Sequence, residues 1–469
     1  MNDITWMSAT DMAAAVSRGE LSPVDIAEAT IARIAEVDPG IGAVVHHDAD
    51  RVRRDAAALE SELLTKGPRG PLHGVPYLIK DLDDVAGAPT SYGLAALREV
   101  VATKSSVVAT RMEAAGGLFV GKSNTPELGY QGVTRCHAFG KTTNPWSAGH
   151  TAGGSSGGSA AAVSAGMVPI AEGSDGAGSI RIPASFCGVV GFKPSFGRVP
   201  AEHGFEQTIV HHGPLARTVA DAALMFSLIE GFDPRDPRSV GSSGIDAATD
   251  LRSGITGRRV AWAPGLPGFE VAPEVAAAVQ DAVGTFSEDL GCRLTRVEPG
   301  WGDLIDVMWV HWQAFYGQFA PLLPTEGLDG AVDAELLEII ASGAALGMAD
   351  LHRASALRNA MWEQVTALFE DHDMLVVPTM PCTAFADDLD HPPEFSGRPL
   401  RDRILGWLMT YPFNLAASCP VISVPCGLDS RGLPIGMSIV GRPWDDIGVL
   451  RAAAGFERAR PWADLHPPL

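Results

Sequence analysis

The sequence predicts an α/β fold in which helices cover a largely buried sheet. Its 469 residues are 46% hydrophobic and 19% charged, which provides a sizeable core and excludes a disordered or fibrous chain. Between Val107 and Gly213, segments with helical spacing alternate with short apolar runs, a pattern typical of α/β proteins. No repeat of fixed period and no linker interrupts the chain, so we predict one domain over residues 1–469.

The predicted helices begin at a start signal or follow an apolar periodicity. Ser22 precedes Pro23, and Asp25 lies three residues after this cap, which is typical of a helix N-terminus. Further helices are predicted over residues 48–64, 107–115, 160–165, 219–229 and 272–290.

Short apolar runs bounded by Gly and Pro predict the strands, over residues 75–79, 117–121, 258–262, 374–378 and 421–425. The first of these runs ends at Lys80, whose side chain is therefore at least partly buried. A buried lysine loses its proton readily, and the neutral amine can act as a general base toward a serine hydroxyl. The alternative, which this run taken alone favours, is an ion pair of Lys80 with Asp81 or Asp83.

Charge and cysteine content narrow the class of protein. The net charge of −21 repels phosphate backbones and anionic lipids, so we expect neither nucleic acid nor a membrane as partner. The first ten residues lack a basic segment, and no apolar run is long enough to span a membrane. The six cysteines form no C-x-x-C pair and have no histidine at metal spacing, which predicts reduced thiols in a cytoplasmic protein without zinc.

The segment 301–319 is unusually aromatic. Five of its apolar residues fall on one face of a helix: Leu304, Met308, Trp312, Phe315 and Phe319. The first interpretation of this face is ordinary core packing, and the second is one wall of a ligand pocket.

Two Gly/Ser clusters occupy residues 153–159 and 173–179, and each leads into an apolar segment. Glycine lets a loop bring its backbone N–H groups close to a ligand. A phosphate-binding loop is not supported, because no lysine follows Gly158. An α/β-hydrolase elbow is not supported either, because the residues before Ser155 and Ser156 are typical of a loop and not of a strand.

Taken together, Gly74-Val75-Pro76-x-x-x-Lys80-Asp81, the two Gly/Ser clusters and Ser179-Ile180-Arg181-x-Pro183 resemble the amidase signature enzymes. The spacing of Lys80, Ser155 and Ser179 matches the Ser–Ser–Lys triad of that family. Further matches extend the resemblance along nearly the whole chain, at residues 121–127, 144–145, 187–194 and 432–436.

The resemblance implies one large domain with a central mixed, mostly parallel, twisted sheet that helices cover on both faces. Residues 1–65 would form N-terminal helices, and 66–230 the signature core that carries the triad. Residues 231–400 would form a variable region around the substrate pocket, and 401–469 the C-terminal part of the sheet.

The resemblance also implies a serine hydrolase that works through an acyl-enzyme. Ser179 would be the nucleophile, and Ser155, preceded in the family by a cis peptide, would connect it to Lys80. Gly129 and Ser155 would contact the substrate. Neither a metal nor an organic cofactor is needed, and a homodimer is an expected assembly.

The backbone N–H groups of Gly176, Ala177, Gly178 and Ser179 would form the oxyanion hole by the same resemblance. Ala177 replaces a glycine that is common in the family, and its N–H stays available if its φ is negative. Ala152 similarly replaces a common proline before the first cluster.

The other polar residues near the motifs have structural interpretations. Ser156 and Ser174 are expected to hold the loops in place, and Asp175 is expected to pair with Arg181. The histidine pairs at 46–47 and 211–212 have no acid at a readable spacing, so no role is predicted for them.

The predicted reaction is hydrolysis of the C–N bond of a small amide, of apolar or aryl type because of Ile182 and the aromatic segment. A carbamate (urethane), an ester or a nylon-type oligoamide is an alternative substrate for the same triad. A glutaminase subunit of a tRNA-dependent amidotransferase is another alternative, although such subunits usually have Gln where this chain has Ile182. A non-catalytic subunit would have lost Lys80, Ser155 or Ser179, and all three are present.

Overall fold

The computed structural model describes residues 4–202, 208–322 and 331–469. The strands in these ranges are β1 Val44–His46, β2 Pro76–Lys80, β3 Leu118–Ser123, β4 Arg135–Cys136, β5 Gly140–Lys141, β6 Ile170–Asp175, β7 Val190–Lys193, β8 His211–Ala216, β9 Arg259–Trp262, β10 Arg293–Arg296, β11 Met374–Pro378, β12 Val421–Leu428 and β13 Pro434–Gly441.

The helices surround these strands, and none within the described ranges has the length and apolar character to cross a membrane. They are α1 Ala9–Ser17, α2 Pro23–Val37, α3 Ala49–Lys66, α4 Val107–Ala114, α5 Gly157–Ser164, α6 Arg181–Cys187, α7 Val219–Ile229, α8 Ala247–Asp250, α9 Pro273–Glu288, α10 Ile305–Gly317, α11 Ala334–Ala344, α12 Met348–Asp371, α13 Leu400–Leu405, α14 Pro412–Leu415 and α15 Asp446–Ala459.

Eleven strands form one mixed sheet in the order β1-β3-β2-β6-β8-β7-β12-β13-β11-β9-β10. This confirms the predicted α/β fold with a mixed sheet. The parallel pairings form two groups, β3-β2-β6 and β11-β9-β10, and the pairings outside these groups are antiparallel. The β12–β13 pairing is antiparallel because a tight turn joins these strands, and a tight turn permits only antiparallel pairing.

The local predictions follow from capping and burial. Ser22 Oγ accepts a hydrogen bond from the Val24 N–H at 3.0 Å, and Pro23 is the first residue of α2, as expected. Every residue of β2 and β11 is buried, which explains their continuous apolar sequences. The helix predicted at 160–165 begins earlier, at Gly157, because the end of the first Gly/Ser cluster is itself helical.

The arrangement of β2 and β6 determines where polar groups gather. These strands are parallel neighbours, so their carboxyl ends meet at one edge of the sheet. Lys80 ends β2, and the second Gly/Ser cluster ends β6 and leads into α6. Ser155 lies in the loop before α5, so both clusters approach Lys80.

Candidate active site

Lys80 lies at the base of the site and is fully buried. Its Nζ donates hydrogen bonds to Ser155 Oγ at 2.7 Å and to Ser174 Oγ at 3.0 Å. Burial lowers the pKa of Lys80 to about 8, although the carboxylates of Glu172 and Asp83 oppose this shift. A substantial fraction of the amine is therefore neutral near pH 8 and able to accept a proton.

The ion-pair interpretation of Lys80 is wrong for the described residues. The carboxylate of Asp81 instead lies 3.7 Å from Lys122 Nζ and accepts a hydrogen bond from the Ser91 hydroxyl. Asp83 lies 3.3 Å from His212 Nδ1. The hydroxyls of two serines thus take the place of a carboxylate at Lys80 Nζ.

Ser155 follows a cis peptide bond and faces a cavity of about 280 Å³. Gly129 lines the same cavity with a φ of +74°. A Cβ at Gly129 would lie 3.2 Å from Ser155 Oγ and 2.9 Å from the Leu82 side chain. Both the backbone conformation and the close approach to Ser155 therefore require glycine at this position.

Ser179 lines the same cavity, in the loop between β6 and α6. The backbone N–H of Ser156 donates to the Ser179 carbonyl oxygen at 3.1 Å, which fixes one Gly/Ser cluster against the other. Within the described residues, no hydrogen bond joins the Ser155 hydroxyl to the Ser179 hydroxyl. The structure thus brings Ser155 and Ser179 to one cavity, with Lys80 buried in contact with Ser155, and forms the first of the two contacts that a Ser–Ser–Lys relay needs.

Three of the four N–H groups predicted to form an oxyanion hole have no acceptor among the described residues, namely those of Gly176, Ala177 and Ser179. The fourth prediction needs correction. The Gly178 N–H donates to Asp175 Oδ1 at 2.7 Å, because the Asp175 carboxylate lies under this turn and takes that donor itself. Ala177 does not adopt a positive φ, which meets the condition for its N–H to remain available.

A buried ion pair holds the loop 176–179. The Asp175 carboxylate accepts hydrogen bonds from Arg181 Nε at 2.8 Å and from Nη2 at 2.9 Å, as the predicted pairing requires. Asn414 Nδ2 donates to Asp175 Oδ1 at 2.8 Å, and Arg181 Nη2 donates to Asn414 Oδ1 at 2.7 Å. Burial opposes ionisation of Asp175, but the Arg181 guanidinium holds the pKa of this carboxyl below its usual value.

Thr410 makes a second contact to this loop, one that could not be predicted from the sequence. Its hydroxyl donates to the Ala177 carbonyl oxygen at 2.6 Å. Gly178 has a φ of +126°, and a Cβ there would overlap the Thr410 side chain. Glycine at 178 thus lets Thr410 approach the loop.

The aromatic segment lies partly in the cavity wall and partly in the core. Trp312, Phe315 and Phe319 line the cavity, whereas Leu304 and Met308 pack in the apolar core. Each interpretation of the helical face therefore holds for some of its residues. The cavity is also lined by apolar and aromatic residues that sequence reasoning missed, among them Leu82, Tyr92, Leu128 and Tyr316.

The prediction that the histidine pairs have no acid partner is wrong for His212. Its Nδ1 lies 3.0 Å from Glu172 Oε1 and 3.3 Å from Asp83 Oδ2. Burial alone would lower its pKa, but the two carboxylates raise the pKa of His212 to about 10. His211, by contrast, contacts backbone carbonyl oxygens, and burial places its pKa well below the usual value.

The ligand atoms of Asp83, Glu172 and His212 lie within 4.8 Å of one another, which is a spacing that a metal ion could bridge. His212 Nδ1 forms a hydrogen-bonded ion pair with Glu172 at 3.0 Å and an ion pair with Asp83 at 3.3 Å. Because the carboxylates raise the pKa of His212, its imidazolium itself supplies a positive charge at this point. We therefore treat these three side chains as an ion-pair cluster.

Comparisons with known proteins relate the chain to one family. The Amidase family model matches residues 25–450. An acylamidase of Rhodococcus erythropolis is 44% identical over 474 residues, which are 99% of this chain and 98% of that protein. A glutamyl-tRNA(Gln) amidotransferase subunit of a Synechococcus species is 35% identical over 486 residues, covering 95% of this chain and 96% of that one. The solved structure of a bacterial aryl acylamidase of the amidase signature family superposes with a TM-score of 0.91 at 34% identity, covering 98% of this chain and 97% of that chain.

Proposed function

The chain belongs to the amidase signature family and hydrolyses amide bonds, and we propose that it does so as a serine hydrolase with Ser179 as the nucleophile. Ser155 and Lys80 form the proton relay in this proposal. The observation that carries it is the 2.7 Å contact between Lys80 Nζ and Ser155 Oγ, beside a cavity that Ser179 also lines.

In the first step, Ser179 Oγ attacks the carbonyl carbon of the amide. Its proton passes to Ser155 Oγ, while Ser155 gives its own proton to the neutral amine of Lys80. The Ser155–Ser179 contact forms as the substrate binds, since catalytic hydrogen bonds are often completed only in the substrate complex.

The backbone N–H groups of Gly176, Ala177 and Ser179 stabilise the negative charge that develops on the carbonyl oxygen. Removing one such donor typically costs about 2.7–4 kcal/mol of transition-state stabilisation. The C–N bond then breaks, and the proton held by Lys80 returns through Ser155 to the leaving amine. Water takes the place of Ser179 in a second attack, which releases the acid and regenerates the Ser179 hydroxyl.

We propose small apolar or aryl amides as the substrates. The cavity of about 280 Å³ is lined by the aromatic rings of Trp312, Phe315 and Phe319. Pockets of this kind take apolar groups and orient them with few polar contacts. Two relatives that match along 97–98% of their own length are an acylamidase and an aryl acylamidase, which supports the same class.

The alternatives receive less support. A glutaminase subunit is not favoured, because the acylamidase is the more similar of the two relatives and Ile182 replaces the usual Gln. Esters, carbamates and nylon-type oligoamides use the same chemistry, so they belong in the substrate panel. A non-catalytic role is disfavoured by the retention of Lys80, Ser155 and Ser179.

The test combines labelling with turnover. Purified enzyme is treated with a fluorophosphonate, in which Ser179 Oγ displaces fluoride at phosphorus, and the adduct is located by peptide mapping. We expect one adduct on Ser179, which Lys80→Ala abolishes or strongly slows. We also expect hydrolysis of anilides in a panel with primary amides, aryl esters and carbamates, and Ser179→Ala should abolish it. An adduct on Ser155 or Ser156, or anilide hydrolysis that persists in Ser179→Ala, would contradict the proposal.

We also propose a cytoplasmic location and a homodimer. All six cysteines are unpaired in the structure, as expected for a reducing compartment. The homodimer follows from the family resemblance, and light scattering of the purified protein at several concentrations tests it. A mass of one chain at every concentration would contradict it.

A further inference from the structure

The two adjacent histidines of β8 lie on opposite faces of the sheet and have opposite pKa shifts. His211 pairs in register with Asp175 of β6, and His212 pairs with Ser174. Ser174 Oγ is itself a hydrogen-bond acceptor of Lys80 Nζ, at 3.0 Å. His212 is therefore the cross-strand neighbour of a residue that touches the proposed base, and both line the cavity.

Glu172 connects His212 to Lys80 by a second route. Its Oε2 accepts a hydrogen bond from the Lys80 backbone N–H at 3.0 Å, while its Oε1 lies 3.0 Å from His212 Nδ1. Asp83 approaches the same Nδ1 from the loop after β2. Glu172 and His212 are almost fully buried, so water screens these charges poorly.

The charges around Lys80 can be counted from the elements packed against it. Asp175 is neutralised by Arg181, and Asp81 lies beside Lys122. Among the described residues, Asp83 and Glu172 are the remaining carboxylates close to the base, with Glu202 further along the cavity wall. Without a cation between them, two negative charges would favour the ammonium form of Lys80, which cannot accept a proton.

We propose that His212 is a positioning residue that acts as a fixed cation between Asp83 and Glu172, so that it offsets part of their negative charge and favours the free base of Lys80. This inference rests on the proposed Ser–Ser–Lys function. In this role His212 does not contact the reacting atoms. The inference predicts that removing the cation and removing a carboxylate shift the pKa of Lys80 in opposite directions.

The experiment compares His212→Asn with Asp83→Asn. The acid limb is the rise of kcat/KM with pH that follows deprotonation of Lys80. In His212→Asn two carboxylates face Lys80 without the cation, so we expect the acid limb on an anilide substrate to move up by about one pH unit. In Asp83→Asn one carboxylate is lost, so the acid limb should move down. The double variant Asp83→Asn/His212→Asn should lie between the two, near wild type.

The rate of fluorophosphonate labelling of Ser179 is followed over the same pH range. It reports the state of the base without depending on substrate choice or product release. His352→Asn is the matched control, because it removes an exposed imidazole on α12, and its acid limb should coincide with that of wild type.

Acid limbs that coincide in wild type, His212→Asn and Asp83→Asn, or that move in the same direction, would overturn the inference while leaving the proposed function intact. Failure of the wild-type enzyme to label at Ser179 would instead contradict the proposed function. If His212→Asn does not fold, His212→Gln takes its place, and an acid limb that coincides with wild type in that variant overturns the inference.

Discussion

The buried pair of Asp175 and Arg181 gives a prediction that joins stability to catalysis. Asp175→Asn keeps the shape of the side chain but removes its charge, so the Arg181 guanidinium is left buried without a counter-ion. Breaking a buried ion pair by removing one partner costs about 3–5 kcal/mol. The carboxylate also accepts hydrogen bonds from the N–H groups of Gly178 and Ile180, one on each oxygen, and asparagine can keep only one of them because its NH₂ group donates.

We therefore expect the free energy of unfolding of Asp175→Asn to fall by about 3–5 kcal/mol. We also expect kcat to fall by roughly 10²–10³-fold, since the loop that carries the oxyanion donors is no longer held at Asp175. KM should change less than kcat, because the aromatic wall that binds the substrate lies on another element, α10.

The assay is equilibrium unfolding in urea, followed by tryptophan fluorescence and checked by refolding, together with steady-state kinetics on an anilide. Glu20→Gln is the matched control, because it removes the acid of the Arg18–Glu20 pair, whose side chains are more than half exposed. That variant should be indistinguishable from wild type in both measurements. An Asp175→Asn enzyme with wild-type stability and kcat would refute the role of this pair.

The base, the glycine beside Ser155 and the aromatic wall each give one further prediction. The kcat/KM of the wild-type enzyme should rise with pH through an apparent pKa of about 8, since the free base of Lys80 is required. Lys80→Met should lose nearly all activity and with it this rise. A wild-type kcat/KM that does not change with pH would contradict the role of Lys80 as the base. Gly129→Ala should lower kcat by at least about 10-fold, because its Cβ would crowd Ser155 Oγ, whereas Gly140→Ala, with the same sign of φ but open space, should retain activity in the same assay. Trp312→Leu should raise KM for anilides more than for short aliphatic amides, and an equal effect on both would argue against an aryl pocket.

Features that depend on residues close together in the sequence were predictable. The Ser22 cap, the buried strand β2 and the position of Lys80 at its end all follow from short patterns, and the structure has each of them. The family motifs added the grouping of Lys80 with Ser155 and Ser179. Periodicity alone could not supply this grouping, because it does not say which strands are neighbours in a sheet.

Contacts between distant parts of the chain could not be predicted. Asn414 and Asp175 are 239 positions apart, and their sequences contain nothing that pairs them. His212 meets Asp83 and Glu172 only because β8 lies next to β6, which depends on the order of strands. The direction of the Gly178 N–H was also unpredictable, because a glycine-rich run indicates a loop without fixing which donors face a ligand.

The residues for proton transfer and those that hold the oxyanion loop lie on one strand, β6, and the pleat of this strand places them on opposite faces of the sheet. Glu172 and Ser174 are two residues apart, so their side chains lie on one face and contact Lys80 and its cluster. Asp175 is on the other face and holds the loop of oxyanion donors through Arg181. Because a shift of one residue would exchange these faces, the register of β6 with β8 fixes the base and the oxyanion loop together. A substitution that weakens this register should therefore impair proton transfer and oxyanion binding at once.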